Sequence, residues 1–378
     1  MRILSVATLV SPGGEYGGPT RVAVNQVREL RRLGHDVTLC AGTRGFETAP
    51  SVLDGDVPVT LFPAHQTVPG TGFAGLTSPT LWRWLWQHIG EYDVCHIHLA
   101  RDLVTLPATA IARARGVRFV VQTHGMIDPT RRLLAVPLDA VLTRPALRSA
   151  RAVLYLTPVE REGLAAVAGP SLRLVELLNG VPSADPAAPS DPREVLYLAR
   201  LAGRKRPGAF VATAARLGSE FPDVRFALVG PDEGEGDAVK AAIAAAGPGD
   251  RLAWEGPLAP EHTLDRLRQA TVYVLPSVDE PYPMSVLEAM SVGLPVVITD
   301  TCGLAGIVRE SGAGLVVGPA QEELDEAVRR LLADRDGAED MGRRGRAYVR
   351  ENLGMEALAR RLLGVYSGQA TSGAGASS

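Results

Sequence analysis

Short apolar runs alternate along the chain with stretches of helical spacing and with polar loops. Ile3 to Ala7 is a continuous apolar run, Leu9 to Pro19 is polar and glycine-rich, and Thr20 to Leu33 carries apolar residues at helical spacing. Gly34 then precedes a second apolar run, Val37 to Cys40. That order predicts strand, loop, helix and strand, the opening of a doubly wound parallel sheet. Further strands are expected over Val59 to Phe62, Tyr92 to His98, Val117 to Gln122, Ala152 to Tyr155 and Arg173 to Leu177, with helices over Leu81 to Ile89, Arg131 to Ala150 and Pro158 to Ala168.

Asn179-Gly180-Val181-Pro182 closes this set, and Ser183 to Pro192, rich in Pro, Ala, Ser and Asp, reads as a linker. The alternation then restarts. Strands are expected over Val195 to Ala199, Phe226 to Gly230, Leu252 to Gly256, Thr271 to Leu275, Val296 to Thr299 and Gly314 to Val317, with helices over Met284 to Val292, Gln321 to Ala333, Ala338 to Asn352 and Met355 to Tyr366. The expected organisation is therefore one Rossmann-like α/β domain over 1–182, a linker over 183–192, a second such domain over 193–352, a terminal helix over 353–366 and a disordered tail of small polar residues over 367–378.

Composition narrows the class. With 46% apolar and 21% charged residues among 378, the chain has the balance of a globular protein. The net charge of −3 argues against nucleic-acid binding. Cys40, Cys95 and Cys302 are an odd, widely spaced set in or beside apolar segments, as expected of reduced core thiols. No apolar run approaches ~18 residues and no leader pattern precedes the first strand, so a cytoplasmic location is expected, with any membrane contact peripheral.

The chemistry converges on Ala270 to Asp300. In open parallel sheets the ligand crevice lies beyond the carboxyl ends of the strands. Here that place holds Glu280 in a loop and Glu288 in the following helix, while the amides of Met284, Ser285 and Val286 are expected as open helix-start donors suited to a phosphate. Carboxylates beside a phosphate make sense facing hydroxyls, and two polyols joined by a pyrophosphate describe a sugar nucleotide. Arg200 directly follows a predicted strand and Lys205 is expected to open the next helix, a planar fork and a point charge for the pyrophosphate. Taken singly, either glutamate could equally be a dipole complement or a solvated acid.

EPYPMSVLEAM followed by GLPVV resembles the E-x7-E signature of the retaining glycosyltransferases of family 4, which have the two-domain GT-B fold. The resemblance implies that Glu280 contacts donor-sugar hydroxyls, that Glu288 binds the nucleotide ribose, and that the Met284 to Val286 backbone meets the distal phosphate. Arg200 and Lys205 match the family's R-x4-K pair. Thr123-His124-Gly125-Met126, with Asp128-Pro129, resembles members in which this histidine bonds the donor sugar near the reacting carbon. Gly17 and Gly18 match the loop over the donor phosphates. Pro281 and Pro283 stand where many members have glycine.

The resemblance implies two Rossmann-like sheets facing a cleft, the last helix returning to the first domain, and transfer of a hexose-type sugar from a UDP-sugar with retained configuration, without metal or other cofactor. The catalytic set would be His124, Arg200, Lys205 and Glu280. Acceptors in view are a saccharide, a lipid-linked glycan or a small natural product such as an aminocyclitol. A UDP-sugar epimerase and a non-catalytic subunit on the same fold are the rival readings; lysine is too scarce to favour a pyridoxal phosphate enzyme.

Other features have plainer readings. Asp54-Gly55-Asp56 looks like a D-x-D metal motif but is ordinary turn chemistry. One or two of Trp82, Trp84 and Trp86 are expected in the core. His96 and His98, on one strand face, are expected as satisfied polar groups. Arg131, Arg132, Arg144, Arg148 and Arg151 form a basic helical surface that could meet anionic lipid or a phosphorylated acceptor, a solvated helix face being the default.

Overall fold

The computed structural model describes residues 1–12, 17–68, 71–130, 135–182, 184–187, 193–247, 251–259 and 262–369. They form two compact units, one of Met1–Gly180 with Met355–Ser378 and one of Val181–Gly354.

The first unit is built on a sheet with the spatial order Leu174–Glu176, Val153–Tyr155, Phe119–Gln122, Val94–His98, Arg2–Val10, Asp36–Thr43, Val57–Pro63 and Val52–Leu53. All neighbours are parallel except the last pair, which is closed by a turn at Asp54 and Gly55, both with positive φ. Arg28 pairs with Asp54 and Asp56, so the D-x-D triplet is a turn held to a helix.

The central strands are buried on both faces, as continuous apolar runs of a covered parallel sheet must be. On one face Gly17–Arg32 and Met355–Ser367 pack over Ile3, Ala7, Leu39 and Val120. The second of these helices contributes Met355, Leu358, Ala359, Leu362, Val365 and Tyr366, a helical stripe. Helices Pro79–His88, Thr105–Ala114, Arg144–Ser149 and Pro158–Ala168 cover the other face.

The second unit has six parallel strands in the order Leu252–Trp254, Val224–Val229, Arg193–Leu198, Val272–Leu275, Val296–Thr299, Gly314–Val317. Numbered from its own first strand, that is the Rossmann order, and the direction reverses between Arg193–Leu198 and Val272–Leu275. The first sheet reverses in the same way between Arg2–Val10 and Val94–His98.

Several expectations are corrected. The first helix begins at Gly17, so Gly17 and Gly18 lie in its first turn, while Gly13 and Gly14 fall outside the described residues. Lys205 does not open a helix: it ends a 3-10 turn, Gly203–Lys205, and the α-helix starts at Pro207 after Arg206 with φ 51°. Of the three tryptophans Trp84 packs against the core as expected, though only partly buried. In Pro79–His88 the core positions are Leu81 and Leu85, Trp84 is half-buried against Phe62, and Trp86 is exposed beneath Arg115.

The basic surface is partly engaged. Arg144 and Arg148 donate to the Val167 and Ala168 carbonyls, and Arg151 to Ser367, capping helix ends where cations are favoured. Arg131 and Arg132 lie outside the described residues, as does the tail from 370. Among the described residues no helix is long and apolar enough to cross a membrane.

Candidate active site

In the second unit the strand-reversal point collects the charged residues. Lys205 Nζ and Glu280 Oε2 are 2.6 Å apart, each less than a tenth exposed. Arg204 Nε lies 3.8 Å from the same oxygen. Burial lowers the Lys205 amine from its ordinary value and the facing Glu280 partly offsets that. Glu288 is 2% exposed on the inner face of Met284–Ser291. Arg200 sits outside this pair, exposed and paired with Glu233. An exposed ion pair of that kind is worth about 0–1 kcal/mol, so Arg200 is free to exchange partners for an anion.

The loop that carries Glu280 is shaped by backbone contacts. Asp279 has φ 50°. Its N–H bonds Thr301 Oγ1 at 3.2 Å, Val278 N–H bonds the Arg204 carbonyl at 2.9 Å, and Gly303 N–H bonds the Glu280 carbonyl at 2.8 Å. A Cβ on Gly303 would stand 1.8 Å from the Pro281 carbonyl oxygen, so only glycine permits this approach. Thr299 donates to the Ser277 carbonyl, and the buried Ser277 hydroxyl has no partner among the described residues.

The helix start is only partly as expected. No side chain caps Met284–Ser291. Val286 N–H, expected to be open, donates to the Pro283 carbonyl at 3.1 Å, because a proline-preceded first turn closes with a tight bond. That leaves Met284 and Ser285 as the leading amides. The Tyr273 hydroxyl, from within the strand Val272–Leu275, hydrogen-bonds the Leu198 carbonyl at 3.1 Å and Ser285 Oγ at 2.7 Å and holds the first turn against the sheet.

In the first unit, His124 follows Phe119–Gln122 with φ 51°. Among the described residues, three of the four non-glycine residues with positive φ, His124, Arg206 and Asp279, are at or beside expected site residues, where strain of about 1–3 kcal/mol is characteristically kept. Glu160 is the anchor that sequence reasoning missed. One oxygen accepts from Thr123 Oγ1 at 2.5 Å and Gly125 N–H at 2.6 Å, on either side of His124, and the other from Leu156 N–H at 2.7 Å. Thr157-x-x-Glu160 has capping-box spacing; Thr157 does accept from Glu160 N–H, but the carboxylate turns to the histidine loop.

His124 Nε2 lies 2.9 Å from His98 Nδ1, with the rings stacked. Burial holds His124 down to about 3 and, helped by its histidine neighbours, His98 well below the usual imidazole range; both are neutral near pH 7. Among the described residues His96 and His98 each find a partner at Nδ1 only.

The structure therefore brings Lys205, Glu280, Ser285 and Glu288 to one strand-end region with Arg200 at its edge, and places Gly17, Gly18 and His124 in the other unit. Gly18 is exposed, with open space where a Cβ would stand. Among the described residues no group of three His, Cys, Asp or Glu could hold a metal ion.

Two parallel-sheet units, each with a Rossmann-type strand reversal, are the architecture of the GT-B glycosyltransferases. The model of glycosyl transferases group 1 matches residues 183–348 and that of the glycosyl transferase 4-like domain matches residues 17–180, so the chain belongs to glycosyltransferase family 4. It is 28% identical over 385 residues to the D-inositol 3-phosphate glycosyltransferase of Nocardia farcinica, covering 92% of this chain and 84% of that one. It is 28% identical over 287 residues to the 2-deoxystreptamine glucosyltransferase of Streptomyces kanamyceticus, covering 70% and 74%. Anabaena HepE, solved in complex with UDP, superposes with a TM-score of 0.73 at 17% identity over 97% of this chain and 100% of that one.

Proposed function

We propose that this enzyme transfers a hexose-type sugar from UDP to a hydroxyl of a small cyclitol-type acceptor, with retained anomeric configuration and no metal. The observation that carries the donor reading is the buried Lys205–Glu280 pair at the strand-reversal point, next to Glu288. Glu288 is assigned to the ribose hydroxyls, the Met284 and Ser285 amides to the distal phosphate, and Glu280 to the sugar hydroxyls. Lys205, and Arg200 once released from Glu233, neutralise the leaving nucleotide. That electrostatic contribution is the usual dominant one in such sites.

In the proposed step the bond from the anomeric carbon to the phosphate oxygen breaks, and a bond from the same carbon to the acceptor oxygen forms on the same face. The acceptor proton passes to the departing phosphate. UDP is supported by its presence in the HepE complex. The acceptor class is supported by the names of the two relatives, which act on inositol 3-phosphate and 2-deoxystreptamine. The test is incubation of the enzyme with UDP-hexoses and a cyclitol series, followed by NMR of the product anomer. An α-product from an α-donor is expected; an inverted product, or transfer only from GDP- or ADP-sugars, would contradict the reading.

A further inference from the structure

Three histidines of the first unit, His96, His98 and His124, form a continuous column from the terminal helix to the histidine loop. Tyr366 OH lies 2.7 Å from His96 Nδ1, the His96 and His98 rings stack with centroids 4.6 Å apart, and His98 Nδ1 lies 2.9 Å from His124 Nε2. His96 is 2% and His98 1% exposed, and His98 Nε2 has no hydrogen-bond partner among the described residues.

The contact between His98 and His124 holds a single proton, since both rings are neutral. If His124 donated it from Nε2, His98 would have to accept at Nδ1 and carry its own proton on Nε2, an N–H buried without an acceptor. Orphaned buried N–H groups are rare and costly, whereas an unfilled acceptor is better tolerated. The proton therefore belongs to His98 Nδ1, His124 accepts at Nε2, and the second proton of interest sits on His124 Nδ1. That is the less common tautomer of a free imidazole, so the protein must select it.

We propose that His98 is a positioning residue that fixes His124 as the Nδ1–H tautomer, so that His124 presents a hydrogen-bond donor at Nδ1 to a sugar hydroxyl. The proposal rests on the transferase reading for the identity of the acceptor atom, but the tautomer itself is a property of the free protein. His96, stacked on His98 and bonded to Tyr366, keeps the His98 ring in place, which ties the terminal helix to the histidine loop. Glu160 holds the loop backbone on both sides of the same residue. His124 is thus oriented twice, through its backbone and through its ring.

The test uses the full chain labelled with 15N at histidine. Ring-nitrogen spectra near neutral pH, with His124 assigned by its loss in His124→Gln, report which nitrogen carries the proton. His98→Phe keeps the ring stacked on His96 and removes the donor; His98→Asn restores a donor near the Nδ1 position. Expected are a protonated Nδ1 on His124 in the wild type and in His98→Asn, and a shift toward Nε2–H in His98→Phe. With it kcat should fall roughly tenfold in His98→Phe and recover in His98→Asn.

A wild-type His124 protonated at Nε2 overturns the proposal. A proton that moves in His98→Phe while kcat stays unchanged overturns the positioning role and leaves the transferase reading standing. If the wild type transfers no sugar at all, that reading fails, and the ring spectra still decide the tautomer.

Discussion

The two sheets end in opposite kinds of polarity. At its strand reversal the second unit buries a full ion pair, Lys205 with Glu280, flanked by Arg204, Arg200 and Glu288. The first unit places neutral rings at the corresponding end, His98 and His124. Buried charges are stable only when paired and are strongly affected by any new charge brought beside them, which suits a pyrophosphate whose charge grows as the bond breaks. Neutral imidazoles offer direction without field, which suits hydroxyls. The same sheet geometry thus supports two chemistries, and the difference lies in what the strand-end loops carry.

The comparison is broken most severely at the ion pair. Glu280→Ala leaves Lys205 buried without its partner and should lower stability by about 3–5 kcal/mol and abolish transfer, whereas the double change Lys205→Met with Glu280→Met should recover most of the stability and none of the activity. Urea denaturation alongside a transfer assay separates the two. Gly303→Ala should come next. The added Cβ collides with the Pro281 carbonyl and displaces the Glu280 loop, so thermal melting should fall and the KM for donor should rise.

The neutral column makes an acid-side prediction. The folded-state pKa values of His96 and His124 are depressed to about 3, below the unfolded value near ~6.5, so their contribution to stability is complete above about pH 6.5. It should be lost progressively as pH falls toward 3. Chemical denaturation across that range should show a shallower decline in a His96→Phe variant, which has one buried imidazole fewer to protonate.

Smaller effects sharpen the picture. Glu160→Gln keeps the side-chain shape but weakens the bonds to Thr123 and Gly125, and should reduce kcat by the equivalent of about 1–3 kcal/mol with little change in donor KM. Ser285→Ala removes one of the two partners of the Tyr273 hydroxyl, leaving the Leu198 carbonyl, and should cost about 1 kcal/mol in a thermal unfolding experiment.

Much of this was legible along the chain because parallel βα units write themselves locally. The apolar runs at Val296–Thr299 and Gly314–Val317 and the helix Gln321–Ala333 fall where the pattern puts them. Strand ends locate loops, and loops located Glu280 and Lys205. The pairing of those two side chains was not legible, since periodicity carries no information on which distant loops meet. Alanine-rich helices such as Thr105–Ala114 and Gly236–Ala246 give a weak apolar period and were missed for that reason. Of the three tryptophans Trp84 packs partly against the core, while Leu81 and Leu85 take the fully buried positions under the sheet. Glu160 fell inside the expected helix Pro158 to Ala168, and nothing in the helical spacing says that its carboxylate reaches Thr123 and Gly125 in a remote loop.

Glu288 and its neighbours are proposed to hold a uridine nucleotide, and calorimetric titration of UDP into the wild type and Glu288→Ala tests this most directly. Saturable binding to the wild type is expected, with a loss of roughly 10- to 100-fold in affinity in Glu288→Ala, the effect of removing hydrogen bonds to a charged group. Equal UDP affinity in the two proteins, or no binding to the wild type, would contradict it.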